Sequence, residues 1–144
     1  MFFHNYIFLV EDDIDDQLFF MQAIKEIGNN IKYSIAHNGK DALVKLKIFR
    51  HLPDLIFLDI NMPVMNGVEF LKHLKAEKPY DQIPVIVLSA IADIKEQVHR
   101  LGANGCITKP ASINELKSEI KNALDLIDKK YLDKYDNYKK LRRV

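Results

Sequence analysis

Five short apolar runs, each followed by a longer stretch with helical spacing, constrain this chain more than any other feature of its sequence. The runs are Tyr6-Ile7-Phe8-Leu9-Val10, Ile31 to Ala36, Leu55-Ile56-Phe57-Leu58, Val85-Ile86-Val87-Leu88 and Cys106-Ile107-Thr108. They are short and rich in β-formers, so each reads as a strand. Between them, Leu18, Phe19, Met21 (or Phe20) and Ile24 recur at helical spacing from Asp15 to Ile27. The sets Ala42, Leu43, Leu46, Phe49 and Val68, Phe70, Leu71, Leu74 do the same, and a further helix spans about Asp93 to Leu101. Gly28-Asn29-Asn30 and Gly102 supply stops, Gly102 as a left-handed cap. Ser112 and Glu115 form a capping box for a last helix that starts near Ile113. Five βα units in succession predict an α/β fold: a doubly wound parallel sheet with helices on both faces, its strands buried on both sides.

Composition narrows the function. The 144 residues suit one globular domain, and an apolar share of 48% is too high for a disordered chain. Lys and Arg number 21 against 20 for Asp and Glu, a net charge of +1 that argues against a whole-domain nucleic-acid binder. A single cysteine, Cys106, excludes an internal disulfide framework. No run approaches the roughly 18 apolar residues of a membrane span, and the N-terminus lacks the pattern of a signal peptide. A cytoplasmic location is the simplest expectation.

In an open parallel sheet, functional groups gather beyond the C-terminal ends of the strands. Glu11-Asp12-Asp13 follow the first run, Asp59 the third, Ser89 the fourth and Lys109 the fifth, while the second offers only His37. Each alone has an ordinary explanation: an N-cap, a turn residue, a hydrogen-bonded loop. Together they place several carboxylates, a lysine and a hydroxyl at one edge. Crowded carboxylates need a neutralising cation, and a small set of oxygen ligands with room for water suits Mg²⁺. An aspartate beside a divalent cation and a lysine can attack phosphorus in line, and the reaction suggested is phosphoryl transfer onto Asp59.

These residues carry a resemblance. From about Asn5 to Leu126 the chain resembles the receiver domains of two-component response regulators, the CheY-like superfamily. The matching stretches are Phe8-Leu9-Val10-Glu11-Asp12-Asp13, Leu58-Asp59-Ile60-Asn61-Met62-Pro63 through Gly67, Pro84 to Ala90, and Thr108-Lys109-Pro110. The resemblance implies a flavodoxin-like (βα)5 fold with strand order 2-1-3-4-5. It makes Asp59 the phosphoacceptor, with Asp12 on Mg²⁺ directly, Glu11 acting through water and Asn61 lending its backbone carbonyl. It makes Ser89 the hydroxyl that moves to the phosphoryl group, Lys109 its counter-ion, and the Lys109–Pro110 bond cis. A histidine kinase or histidine phosphotransfer protein would supply the phosphate, and a downstream protein target would read the switched surface. Turnover of an external substrate is not expected. One departure is Cys106, at a position where the family commonly has Tyr or Phe. It is expected to be a packing residue and not a redox sensor.

Two other classes fit less well. A haloacid-dehalogenase-like phosphohydrolase usually carries an Asp two residues after its nucleophile, where this chain has Asn61. A flavodoxin-like cofactor binder would meet the acidic run after the first strand and finds no Gly-rich phosphate loop. The receiver is expected to occupy residues 1–126, leaving 127–144 as a helical extension or flexible tail with no separate output domain. Residues 125–144 hold seven Lys/Arg against four Asp, with Tyr131, Tyr135 and Tyr138 at helical spacing. The stripe Ile113, Leu116, Ile120, Leu124, Ile127, Tyr131 runs into this segment. It could dock on the receiver, pair two copies through the last helix, meet a partner, or end as a frayed, solvated terminus.

Overall fold

A computed structural model of the chain describes residues 4–142, with the side chains of Ala92 and of residues 131–142 outside the description. Strands β1 (Tyr6–Val10), β2 (Lys32–Ala36), β3 (Leu55–Asp59), β4 (Val85–Ser89) and β5 (Gly105–Thr108) alternate with helices α1 (Ile14–Ile27), α2 (Gly39–Ile48), α3 (Gly67–Lys75), α4 (Lys95–Arg100) and α5 (Ile113–Arg142). All pairings are parallel, in the order β2-β1-β3-β4-β5. This is the doubly wound fold expected from the sequence.

Apolar residues on both faces of the strands force a two-sided core. On one face Phe8, Val10, Ile56, Leu58, Val85 and Val87 pack against Ala42 and Leu46 of α2, Phe70, Leu71 and Leu74 of α3, and Val98 of α4. On the other, Ile7, Leu9, Leu55 and Phe57 meet Phe20, Ala23 and Ile24 of α1 and Leu116, Ile120 and Leu124 of α5. Phe8, Phe57 and Phe70 are fully buried, and each stabilises the fold by about 1.5–3 kcal/mol relative to an exposed ring.

The topology then fixes where chemistry can occur. The chain passes from β1 out to β2, then returns to lay β3 on the other side of β1. This switch opens a crevice beyond the C-terminal ends of β1 and β3, where Glu11 and Asp59 stand.

Three local expectations change. The Lys109–Pro110 bond is trans, the one cis bond among the described residues being Lys78–Pro79. The Lys109 N–H donates to the Ser89 carbonyl at 2.9 Å, and the side chain reaches the acidic cluster in the trans form that X–Pro bonds favour by about 0.5–1 kcal/mol. Leu18 is exposed, while α1 buries the expected Ile24 and Phe20 (the alternative to Met21), and in addition Gln17 and Ala23. Apolar side chains run all round the helix from Leu18 to Met21, so periodicity alone does not choose its inward face. The edge strands β2 and β5 are only partly buried, unlike β1, β3 and β4. A 3-10 turn at Tyr80–Gln82, between Pro79 and Pro84, has no counterpart in the sequence reading.

Gly102 has φ +101°, as its capping role requires. At Ser112, the hydroxyl accepts from the Glu115 N–H at 3.2 Å. The return bond to the Glu115 carboxylate comes from the N–H of Ala111. Leu116, Ile120, Leu124 and Ile127 lie along the inner face of α5 as the stripe indicates. Its continuation through Tyr131, with Tyr135 and Tyr138, lies outside the described side chains.

Candidate functional site

The acidic site is built where two buried strands stop. β1 ends at Val10, and the Glu11 N–H donates to the Ala36 carbonyl at 3.0 Å, carrying the ladder one residue further. Asp13 then caps α1, its side chain accepting from the Asp16 N–H at 3.0 Å. The third member of the acidic run therefore serves the helix, which leaves Glu11 and Asp12 for the crevice.

Asp59 closes β3 and is buried. The backbone around it is held by Gly67, whose N–H donates to the Ile60 carbonyl at 2.9 Å. A Cβ on Gly67 would collide with the Asp59 carbonyl oxygen and come within 2.8 Å of Ile60 Cα. Only glycine allows the start of α3 to approach the Asp59 backbone so closely.

Glu11, Asp12 and Asp59 offer carboxylate oxygens that all lie within 4.8 Å of one another. The Lys109 Nζ donates to Glu11 Oε1 at 2.9 Å and stands 3.4 Å from Asp59 Oδ1. Four of the residues singled out in the sequence thus meet in space. Ser89 is buried at the end of β4, but its hydroxyl is engaged in its own loop: it donates to the Ile91 carbonyl at 2.9 Å and accepts from the Ile91 N–H at 3.0 Å. Asn61 is exposed in the β3–α3 loop, two residues beyond Asp59.

The electrostatics reflect this crowding. Burial pushes the Glu11 carboxyl up to about 8, and its hydrogen bond with Asp59 and the like charge there act in the same direction while Lys109 opposes them. Burial alone would lower Lys109. The hydrogen bonds to Asp16 and Glu11, with the charges of Glu11 and Asp59, outweigh it and hold the ammonium well above its ordinary range. The upward push on Glu11 is the mark of a site short of positive charge. Hard carboxylate oxygens at this spacing fit a divalent cation, whose charge would offset the crowding.

Two neighbours were not foreseen. Asp16, on the first turn of α1, accepts from the Lys109 Nζ at 2.9 Å through Oδ2. Gln17 is buried and its Nε2 donates to the Glu11 carbonyl at 2.7 Å, with His37 Nδ1 at 3.1 Å. Asp16 and Gln17 sit one turn after Asp12 and Asp13 at the same strand end, but that register does not reveal their partners, and the partner of Asp16 is distant in sequence.

The family model of the response regulator receiver domain matches residues 7–121. A probable transcriptional regulator, ycf29 of Pyropia yezoensis, is 38% identical over 122 residues, covering 82% of this chain and 52% of that protein. The chain thus spans about half the length of this curated relative. The crystal structure of the phosphorylated cyanobacterial phytochrome response regulator RcpA superposes with a TM-score of 0.74 at 30% identity, over 83% of this chain and 91% of that one. The manganese-bound form of response regulator Rcp1 gives 0.71 at 26% identity, over 82% and 90%.

Proposed function

The chain belongs to the response regulator receiver domain family, and we propose that its phosphorelay chemistry takes place on Asp59. The observation that supports this most is the meeting of Glu11, Asp12 and Asp59 within 4.8 Å, beside the Lys109 ammonium. Asp59 is the nucleophile: one of its carboxylate oxygens bonds to phosphorus as the donor's bond to phosphorus breaks. With a phosphohistidine donor on a kinase or phosphotransfer protein, the leaving imidazole nitrogen keeps the bonding pair and takes up a proton. A carboxylate needs no general base, so this site contributes orientation and charge neutralisation.

Glu11, Asp12, Asp59 and the Asn61 backbone carbonyl are the groups we assign to holding Mg²⁺. The ion would neutralise charge on the transferring phosphoryl oxygens and on the carboxylates. Lys109 supplies the remaining positive charge, and Ser89 would leave Ile91 to donate to the phosphoryl group. Rearrangement of the Ser89–Ile91 loop changes the adjoining surface, which a protein target can read. Cys106 stands where an aromatic ring would otherwise report the switch, so the readout relies on this loop and on the α4–β5–α5 surface. Pairing of two copies through the last helix, and a cytoplasmic setting, belong to the same proposal.

Incubation with acetyl phosphate and Mg²⁺, followed by intact-mass measurement, tests the chemistry. A single phosphoryl adduct is expected on the parent chain, absent when chelator removes the metal and absent in Asp59→Asn. An unlabelled parent, or an equal adduct on Asp59→Asn, contradicts the proposal. Hydrolysis of an external phosphate ester is the less favoured reading, because Asn61 stands where such enzymes usually place their second aspartate.

A further inference from the structure

Lys109 is held by three carboxylates, one of them from outside the strand ends. Its ammonium has three N–H donors. Nζ lies 2.9 Å from Glu11 Oε1, 2.9 Å from Asp16 Oδ2 and 3.4 Å from Asp59 Oδ1, so every donor has a carboxylate to point at. The three acceptors differ in their access to water. The Glu11 and Asp59 side chains are 2% and 6% exposed, whereas that of Asp16 is 46% exposed.

A phosphoryl group on Asp59 turns that carboxylate into an acyl phosphate whose anionic oxygens inherit its place at the ammonium. Because they carry more charge than the carboxylate, they draw a second N–H donor away from Glu11 or Asp16. Leaving the buried Glu11 carboxylate unpaired is costly, while the exposed Asp16 is rehydrated where it stands. Asp16 is therefore the partner to release. It is nonetheless well placed while bound, because its N–H donates to the Asp13 cap at 3.0 Å and the first turn of α1 holds it at the rim.

We propose that Asp16 is a positioning residue for Lys109, holding the ammonium at the edge of the site in the unphosphorylated protein and competing with the phosphoryl group for it. The proposal rests on the reading of Asp59 as phosphoacceptor. Asp16 touches no phosphorus atom and acts only through the lysine. Its effect is to make the unphosphorylated arrangement self-sufficient, so that an incoming phosphoryl group must displace a contact to gain one.

Calorimetric titration of the full chain with beryllofluoride and Mg²⁺ reads this competition. Asp16→Asn is expected to bind the analogue about two- to fivefold more tightly, the range set by a partly exposed ion pair. Asp16→Glu should stay near the parent. Asp15→Asn, which removes the same charge from the same turn, should leave affinity unchanged. In the absence of the analogue, the Lys109 ε-methylene NMR signal should shift in Asp16→Asn and return in Asp16→Glu. Unchanged or weakened binding in Asp16→Asn, equal tightening in Asp15→Asn, or an unmoved lysine signal would each overturn the proposal. No binding by the parent would overturn the phosphoacceptor reading along with it. Binding that is lost in Asp59→Asn but indifferent to Asp16→Asn would overturn the role of Asp16 alone.

Discussion

Val64 has φ 68°, the left-handed region, and its side chain is 76% exposed in the loop between Asp59 and α3. A β-branched residue there meets steric repulsion of about 1–2 kcal/mol, with no burial to offset it. Glycine relieves that strain but loses more chain entropy on folding. Val64→Gly should therefore raise stability by about 0.5–1 kcal/mol in chemical denaturation; a loss of stability would show that the valine makes a contact of its own. Cys106 raises a different question. Burial lifts its thiol above the ordinary value, with Lys95 pulling the other way, and the side chain packs against the α2–α3–α4 core. The thiolate is the reactive form, so alkylation by iodoacetamide in the folded protein should be slower than for free cysteine. Its rate should also keep rising beyond the pH at which free cysteine levels off. Reaction as fast as free cysteine near neutral pH would make Cys106 a candidate sensor after all.

At the scale of elements, the start of α3 shows how a local motif reaches the site. Asn66 accepts from the Glu69 N–H at 2.9 Å, and Glu69 accepts from the Asn66 N–H at 3.4 Å. This capping box anchors the turn in which Gly67 abuts the Asp59 backbone. Asn66→Ala should cost about 1 kcal/mol of stability, and Asn66→Asp should recover most of it; equal stabilities in thermal or chemical unfolding would show that the cap is not what holds the turn. Such caps were partly legible in the sequence: Ser112 and Glu115 stood out by spacing, and Gly102 by its place after the fourth helix. The inward face of α1 was not legible, because Leu18, Phe19, Phe20 and Met21 offer four apolar directions. Only packing on the sheet, where the ring meets Phe57 of β3 edge-on, selects Phe20. The trans Lys109–Pro110 bond departs from expectation for a similar reason, since X–Pro isomers lie close in energy and tertiary context chooses between them.

For the whole molecule, the balance of 21 cations against 20 anions conceals an uneven distribution. Glu11, Asp12 and Asp59 converge in the crevice where the strand order reverses, and Lys109 is drawn in to meet them. This convergence was legible in the sequence, because strands buried on both faces read as unbroken apolar runs and their ends mark one edge of the sheet. Asp16 was not, because it lies on a helix and its partner is 93 residues away. Nor was the retention of the Ser89 hydroxyl by Ile91, which depends on the path of one loop. The central claim is that phosphorus is carried by one carboxylate among these. Borohydride reduction of the phosphorylated chain converts an aspartyl phosphate to homoserine, which peptide mass spectrometry can locate. After treatment with acetyl phosphate and Mg²⁺, homoserine is predicted at position 59 and at no other aspartate. Homoserine at Asp12 or Asp13 with Asp59 unmodified would contradict the account.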